Sequence, residues 1–457
     1  GWAGAVRAWD LGRKVCLVER REGLGGAAVW GGAMGKHVMQ EVGKGLRKAR
    51  PHLTGLAAAA ADATAWAEVR RRTRLAIIDR AQHLDQQLFA LGQTHTFNRR
   101  ELKSSEKSGT IQRWKGEATF ISPNAVQLKG PDGEDMVIEA KYFLIATGSV
   151  PRPLFKFELD SEYIVTPQQL LKAAKTIPEA VLILGAGMEG CETATVCAAL
   201  GTAGVHLVNG DRSIFPNEDD DVSLFVQEAL ESDGIKVHNE AVLEFAQIHH
   251  DRGAIECRIV ESHWISPRDR RGPPVRNRVP KTIWVDKLVL CNGRAPNTAG
   301  LNLNAAGVDV DSQGGVLVDY LNRSVSARHI CAAGDVTGGG RAGGLTAIAE
   351  MQSRWAVEKL ITPNGPDIRP VYRGVGAVLQ VTPEMAFVGM SEAEAQRRGL
   401  PHIAAKVVMS DYAQGLIRKY GSVGSQNDKW LLQRAVASVP ISAHAVAQEE
   451  DGLGEGP

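Results

Sequence analysis

Two hydrophobic periods alternate along this chain, and the places where one gives way to the other mark its elements. Ala3 to Leu11 is a run of small residues that predicts a helix; Gly12 ends it, and Lys14-Val15-Cys16-Leu17-Val18-Glu19 predicts a short strand. A region rich in Ala, Arg and Leu, from about Lys36 to Leu91, predicts long helix. Short strands are expected through Gly116-Glu117-Ala118-Thr119-Phe120 to the apolar strand Tyr142-Phe143-Leu144-Ile145-Ala146, which ends in Thr147-Gly148-Ser149.

A second series begins at the strand Ala180-Val181-Leu182-Ile183-Leu184, passes a glycine turn and an alanine-rich helix, and reaches Val205-His206-Leu207-Val208-Asn209. The first series, up to Glu19, is most of the same βαβ unit without its first strand, so the chain carries one dinucleotide-type unit twice. Ser262 to Pro280, rich in Pro and Arg, reads as an inserted surface loop between strand-like flanks. A new region starts beyond about Arg369 with Ala377-Val378-Leu379-Gln380-Val381, and Glu449 to Pro457 reads as a frayed polar tail.

Composition narrows the function classes. With 457 residues, 44% of them hydrophobic and 23% charged, the chain is ordinary for a globular protein and long enough for two to four domains. Lys and Arg number 53 against 52 Asp and Glu, a net charge of +1, which gives no electrostatic reason to expect nucleic acid or an anionic membrane as partner. The expected ligand is local and small. No apolar run approaches the length of a membrane span and no signal pattern opens the sequence, so a soluble protein is expected. The six cysteines form no CxxC or zinc-type cluster, which predicts no metal site and buried thiols in a reducing compartment, cytoplasmic or an organelle matrix. Cys191 and Cys197, six apart on one predicted helix, fall on different faces and are poor disulfide partners.

The strongest local signal is Gly185-Ala186-Gly187-Met188-Glu189-Gly190, placed directly after an apolar strand and opening a helix. Gly185 permits the tight turn, Gly187 lets backbone N–H groups approach a pyrophosphate, and Gly190 allows close packing of helix on strand; the helix N-terminus favours the negative charge. The next strand ends in Asn209 rather than an acidic residue, followed by Asp211 and Arg212, and either of these reaches a ribose or a 2′-phosphate, so NAD, NADP or both stay open. At the start, Gly1-Trp2-Ala3-Gly4 reads as the remainder of a second such loop, with the chain beginning inside it, and Glu19 stands where an acidic residue accepts hydrogen bonds from an adenosine ribose. Without a first strand, that sheet is expected to lose a central, buried member.

Four further segments fall in one order along the chain: Ala146-Thr147-Gly148, Gly293-Arg294-Ala295-Pro296-Asn297, Ala332-Ala333-Gly334-Asp335, and Val381-Thr382-Pro383-Glu384 leading to Val388-Gly389-Met390-Ser391. With the two nucleotide units, they resemble the pyridine nucleotide-disulfide oxidoreductase family of lipoamide dehydrogenase, glutathione reductase and soluble pyridine nucleotide transhydrogenase. The resemblance implies an α/β fold with two Rossmann-like dinucleotide-binding domains, for FAD and NAD(P), and a C-terminal α+β interface domain. The FAD domain is expected over 1–157 and 287–365, the NAD(P) domain over 158–286, and a shortened dimerisation-type domain over 366–457. Implied FAD contacts are Gly1, Gly4, Glu19, Gly25, Ala118, Thr147, Gly148 and Asp335; implied nicotinamide-nucleotide contacts are Gly185, Gly187, Gly190, Asn209, Arg212 and Gly293.

In that family a C-x4-C redox pair precedes a Ser-Lys. Counting back from Lys36 puts the two positions at Ala27 and Gly32, so no thiolate stands there for dithiol-disulfide exchange. The Trp30-Gly31 pair looks similar to the transhydrogenase branch, which works with flavin alone. The resemblance also implies a Lys36–Glu192 ion pair close to the flavin. His444 and Glu449 keep the separation of the family's C-terminal His and Glu but lack its Pro and Thr, and the interface region looks shortened after about Gly421. The expected activity is hydride transfer from a nicotinamide to FAD and on to a second nicotinamide or another small acceptor, with a homodimer as the family's usual state. A catalytically impaired nucleotide-binding or structural relative is the alternative, and lipoamide dehydrogenase activity is expected less.

Overall fold

The computed structural model describes residues 1–30, 33–49, 52, 56–91, 94–95, 110–131, 133, 135–154, 156–216, 218–265, 275–338, 344–366, 369–408 and 432–438. The chain folds into two compact units: 1–38, 70–152 and 294–375 form the first, and 39–69, 153–293 and 376–457 the second. It is an α/β protein, as its alternation of strand and helix patterns predicts.

The chain opens with helix α1 (Trp2–Asp10), strand β1 (Val15–Glu19), the one-turn helix α2 (Gly26–Val29) and the helices α3 (Ala33–Ala49) and α4 (Leu56–Ala90). Both long helices continue from one unit into the other. Strands β2 (Thr94–His95) and β3 (Ile111–Lys115) follow and pair in parallel with each other, and β3 pairs with β1, giving the order β1-β3-β2. Next come an antiparallel meander, β4 (Glu117–Ser122), β5 (Ala125–Lys129) and β6 (Asp135–Glu139), and the short strands β7 (Phe143–Ile145) and β8 (Ser149–Pro151).

The second unit is built on strand β9 (Ile164–Val165), helix α5 (Pro167–Ala173), strand β10 (Ala180–Leu184), helix α6 (Met188–Leu200), strand β11 (Gly204–Val208), helix α7 (Asp220–Ser232) and strand β12 (Lys236–His238). A meander of β13 (Ala241–His249), β14 (Ala254–Ile265) and β15 (Val275–Val285) precedes β16 (Lys287–Leu290). The main sheet is parallel, in the order β12-β11-β10-β16-β9. Its strands are apolar on both faces because both faces are covered. Val181, Ile183, Val205 and Leu207 belong to the core shared with helices α6 and α7, and Leu182, Val208, Leu288 and Leu290 to the core shared with the meander.

The chain then returns to the first unit with β17 (Arg294–Pro296), β18 (Ile330–Ala332) and α8 (Thr346–Ile361). The last described elements are β19 (Ala377–Leu379), β20 (Met385–Phe387), α9 (Glu392–Arg397), β21 (His402–Val408) and β22 (Leu432–Ser438). Leu379 and Val381 join the core of the second unit, and both carboxylate oxygens of the buried Asp219 accept backbone N–H bonds at the start of α9, from Ala393 at 2.7 Å and Glu392 at 3.3 Å.

Among the described residues β1 and β7 lie in separate sheets, β1-β3-β2 and β18-β7. A Cβ on Gly1 would contact the Leu17 side chain at 3.6 Å and the Ala146 Cβ at 3.8 Å, so this glycine lies against β1 and against the residue that follows β7. One expectation is corrected: Ser262 to Pro280 is not loop throughout. Strands β14 and β15 run into it as a backbone ladder as far as the Ile265–Val275 pair, and the ladder continues through the Val260–Pro280 pair. The span 266–274 lies outside the described residues. No helix among the described residues is long and apolar enough to cross a membrane. Five cysteines are buried and Cys16 is exposed, with no disulfide; burial pushes the thiols of Cys191, Cys197, Cys257 and Cys331 up to about 12.

A polar chain crosses the second core. His206 on β11 falls on the face opposite Val205 and Leu207, and its Nδ1 lies 3.0 Å from Nε2 of His238, whose Nδ1 lies 2.6 Å from Oε1 of Glu261. Lys281 stands 3.8 Å from the same carboxylate. Burial, then the charges of His238, Lys236 and Lys281, hold His206 down to about 4; burial also lowers His238 against the pull of Glu261. The neutral pair thus resists protonation that the unfolded chain accepts below about 6.5. The unfolded state binds more protons in that window, so stability falls as pH drops from about 6.5 toward 4. In urea melts across this range, His206→Gln is expected to flatten the slope; an unchanged slope would assign the acid sensitivity elsewhere.

Candidate functional site: two nucleotide-type turns and a crossover

The glycine turn of the second unit runs from the end of β10 into α6. Gly185 has φ +106°, a conformation that L side chains rarely adopt, and a Cβ there would overlap the Cys291 carbonyl. A Cβ on Gly190 would overlap the Gly185 carbonyl oxygen, so helix and turn approach only through glycine. Gly187 differs: a Cβ would meet nothing within 4 Å. It faces open space at the N-cap of α6, where no side chain satisfies the first-turn N–H groups. Three glycines thus have three reasons, and the third leaves room for an anion on the helix N-terminus.

The adenosine side of this turn is set by Asn209, at the end of β11. Its side chain is buried, and its Nδ2 donates to the carbonyls of Asp211 and Ser213 and to Oδ1 of Asn239, at 2.9 to 3.0 Å. Its backbone N–H donates to the His238 carbonyl and its carbonyl accepts from Ala241. Asn209 therefore fixes the loop that follows β11. On that loop Asp211 and Arg212 are exposed, and Arg212 makes no ion pair or hydrogen bond among the described residues.

In the first unit, three of the segments singled out in the sequence meet. β7 pairs with β18 in parallel, and β8 pairs with β17 in antiparallel. Thr147 Oγ1 donates to the Asn297 carbonyl at 2.7 Å, Asn297 Nδ2 donates to the Thr147 carbonyl at 3.2 Å, and Asn297 N–H donates to the Gly148 carbonyl at 2.9 Å. Ser149 links the other two: its hydroxyl donates to Asp335 Oδ2 at 2.6 Å and accepts from Arg294 Nε at 2.7 Å. Asp335 Oδ1 accepts from the Gly344 N–H at 2.7 Å. Gly148 and Gly293, at φ +70° and +91°, make the backbone turns at either side of this crossover. Sequence reasoning missed Ser149 and Arg294 as side chains with a role, although each sits beside a residue it did single out.

The remaining first-unit positions are placed as follows. A Cβ on Gly4 would overlap the Leu144 side chain, so α1 lies tight on β7. Glu19 is half-buried at the end of β1 and accepts from the Arg21 N–H at 3.0 Å. Gly25, at φ +113°, caps α2, and Ala118 is half-buried in β4 opposite Leu128. Lys36 is half-buried in the part of α3 that belongs to the first unit. Glu192 is buried in α6 of the second unit, where its Oε1 accepts from the Gln380 N–H at 3.1 Å. Ala27 is in α2; Gly31, Gly32, His444 and Glu449 lie outside the described residues.

The sequence model of the family described as "Pyridine nucleotide-disulphide oxidoreductase" matches residues 1–353, more than half of the chain. The chain belongs to this family. A dihydrolipoyl dehydrogenase of Bacillus subtilis is 28% identical over 399 residues, covering 87% of this chain and 76% of that protein. A soluble pyridine nucleotide transhydrogenase of Hahella chejuensis is 27% identical over 310 residues, 67% of this chain and 60% of that protein. Among solved structures, LpdA of Mycobacterium tuberculosis matches with a TM-score of 0.73 at 21% identity, over 92% of this chain and 82% of that one. The HOCl-induced flavoprotein disulfide reductase RclA of Escherichia coli matches with a TM-score of 0.72 at 21% identity, over 96% and 84%. At that identity the structural matches speak for the fold.

As a member of the pyridine nucleotide-disulphide oxidoreductases, the protein is a flavin-dependent pyridine nucleotide oxidoreductase that uses FAD and NAD(P). Its residues fit both groups. The open face at Gly187, beside first-turn N–H groups that no N-cap side chain takes up, suits a pyrophosphate. The carboxylate of Glu19, and that of Asp335 held by Ser149 and Gly344, are acceptors of the kind that ribose and ribityl hydroxyls need.

The glycines yield a direct test. Gly190→Ala forces Cβ into the Gly185 carbonyl and is expected to cost about 3 kcal/mol or more. Gly187→Ala meets no protein atom and should leave stability within about 1 kcal/mol while weakening NAD(P)H binding. Equal thermal melts for the two variants would overturn this assignment.

Proposed function

We propose that this protein transfers hydride from NADPH or NADH, by way of FAD, to a second nicotinamide or another small acceptor, in the manner of a soluble transhydrogenase rather than a dithiol reductase. The observation that carries this reading is chemical: Ala27 and Gly32 occupy the positions where the family's redox cysteines are expected, and neither residue forms a thiolate. The buried thiols of Cys191, Cys197, Cys257 and Cys331, pushed up to about 12, are equally unsuited to exchange at neutral pH. Bound FAD supplies the two-electron relay. The chain's own part is to hold nucleotides on Gly187 and the α6 N-terminus, to accept hydroxyl groups at Glu19 and Asp335, and to place the charges of Lys36 and Glu192 for the reaction, as the resemblance implies. The discontinuous FAD domain, the NAD(P) domain and the family's homodimer are part of the same proposal.

Both nicotinamide coenzymes are taken under this reading. Asn209 is occupied in fixing its loop, which leaves the exposed Asp211 to accept from a 2′-hydroxyl and the exposed Arg212 to meet a 2′-phosphate.

Anaerobic titration tests the proposal: NADPH and NADH are each expected to bleach the flavin band of the purified protein, and thio-NAD then to reoxidise it. No bleaching with either would support the alternative, a nucleotide-binding relative without turnover. Lipoamide reduction that is lost on thiol labelling would instead favour the dithiol reaction. Arg212→Gln is expected to weaken NADPH binding about tenfold or more while sparing NADH, the loss of a charge-assisted hydrogen bond.

A further inference from the structure

Glu189 is the residue of the second glycine turn that the nucleotide reading leaves without a task. It lies between Gly187 and Gly190 in the first turn of α6, half-buried, on the helix end where a pyrophosphate is expected. A carboxylate is acceptor-only and cannot bind a phosphate. Some other part of a dinucleotide must lie within its reach, or the charge opposes binding.

The sheet order indicates which part. The turn stands at the carboxyl end of β10, with β11 and β12 on one side and β16 and β9 on the other. In such a sheet a dinucleotide lies across the strand ends, its pyrophosphate on the helix N-terminus and one nucleoside to each side. The adenosine loop, Asn209 to Ser213, follows β11, so the nicotinamide half belongs over β16 and β9. Glu189 is anchored on that second side. Its Oε1 accepts from Gln168 Nε2 at 2.7 Å, and Gln168 is on α5, which packs on β9 and β16.

The anchor is itself well fixed. Helix α5 starts with a capping box between Thr166 and Gln169 and has Pro167 at its first turn, and Gln169 Nε2 donates to Ser161 Oγ at 2.9 Å. Gln168 thus holds one oxygen of the carboxylate in place, while Oε2 has no hydrogen-bond partner among the described residues. Beyond the pyrophosphate, the next donors along a dinucleotide on this side are the two hydroxyls of its second ribose.

We propose that Glu189, oriented by Gln168, accepts hydrogen bonds from the nicotinamide-side ribose, so that the site selects ligands carrying that second ribose. This rests on the nucleotide reading of the Gly185–Gly190 turn and adds a specificity residue to it. The carboxylate offsets its cost near the phosphates by lying on the positive end of α6 and by taking hydroxyl donors that a bare diphosphate lacks.

The test compares ADP with ADP-ribose, which share the adenosine and pyrophosphate and differ by the second ribose, using calorimetry on the full chain. Glu189→Ala is expected to lower the ratio of ADP-ribose to ADP affinity about tenfold, the loss of hydrogen bonds to a charged acceptor, with ADP itself bound no more weakly. Gln168→Leu should lower the same ratio by less, since the carboxylate remains but is no longer held. An unchanged ratio in Glu189→Ala, including equal tightening of both ligands, would overturn the proposal and mark Glu189 as a charge that merely opposes the pyrophosphate. Failure of the unmutated protein to bind ADP would remove the nucleotide reading itself, a result distinct from a ratio that does not move.

Discussion

A chain that leaves a domain in mid-sheet and later returns to it has to exit and re-enter at neighbouring points. Here the two crossing segments are β8 and β17, and their antiparallel pairing carries the first unit. Ser149 is central to it, with one hydroxyl between the Asp335 carboxylate and the Arg294 guanidinium. A carboxylate and a guanidinium brought this close into a partly buried place need every donor and acceptor matched. The hydroxyl meets that need for both at once. The reciprocal bonds of Thr147 and Asn297 then lock the turn before the crossover to the turn after it.

Each unit also depends on a different constraint, the close approach of helix to strand. Gly190 lies on the Gly185 carbonyl in α6, and Gly4 lies on Leu144 beneath α1. In each case a missing side chain sets how near the helix axis comes to the sheet, and so where its N-terminal N–H groups point. The chemistry of an anion site follows from packing rather than from any charged residue. The charged residues near these turns serve other ends: Asp219 ties α9 to the nucleotide-type unit, and Glu189 is held sideways by Gln168.

The loop after β11 shows how far a local polar network reaches into a site. Asn209 replaces an acid with an amide, and its two N–H groups lie among three acceptors where a carboxylate would only accept. The corner from His238 to Ala241 meets the same loop through its backbone, and His238 in turn belongs to the chain running from Glu261 to His206. Sequence reasoning placed Asn209 at a ribose because of its position at a strand end. Position alone does not say which way a side chain turns, and the residues that turn this one inward, Ser213 and Asn239, are separated from it in sequence.

Much of this protein is written in short, local patterns. Residues such as Ala180 to Leu184 declare a strand because their short apolar run leads straight into a glycine turn, and Gly185 and Gly190 declare that turn because only glycine tolerates their contacts, while Gly187 leaves its face open. The order of the four family segments carried the family and, with it, the two cofactors. Three things needed the tertiary structure, each because it depends on residues far apart in sequence. The ladder running past Glu261 into the Pro- and Arg-rich segment depends on cross-strand partners 10 to 30 residues apart in the chain. The role of Ser149 depends on Arg294 and Asp335, which reach it only through the pairing of β8 with β17 and β7 with β18. The orientation of Glu189 depends on Gln168, which the sheet order brings to the far side of β10. Local propensity determined the elements, and non-local hydrogen bonding decided what their ends are able to hold.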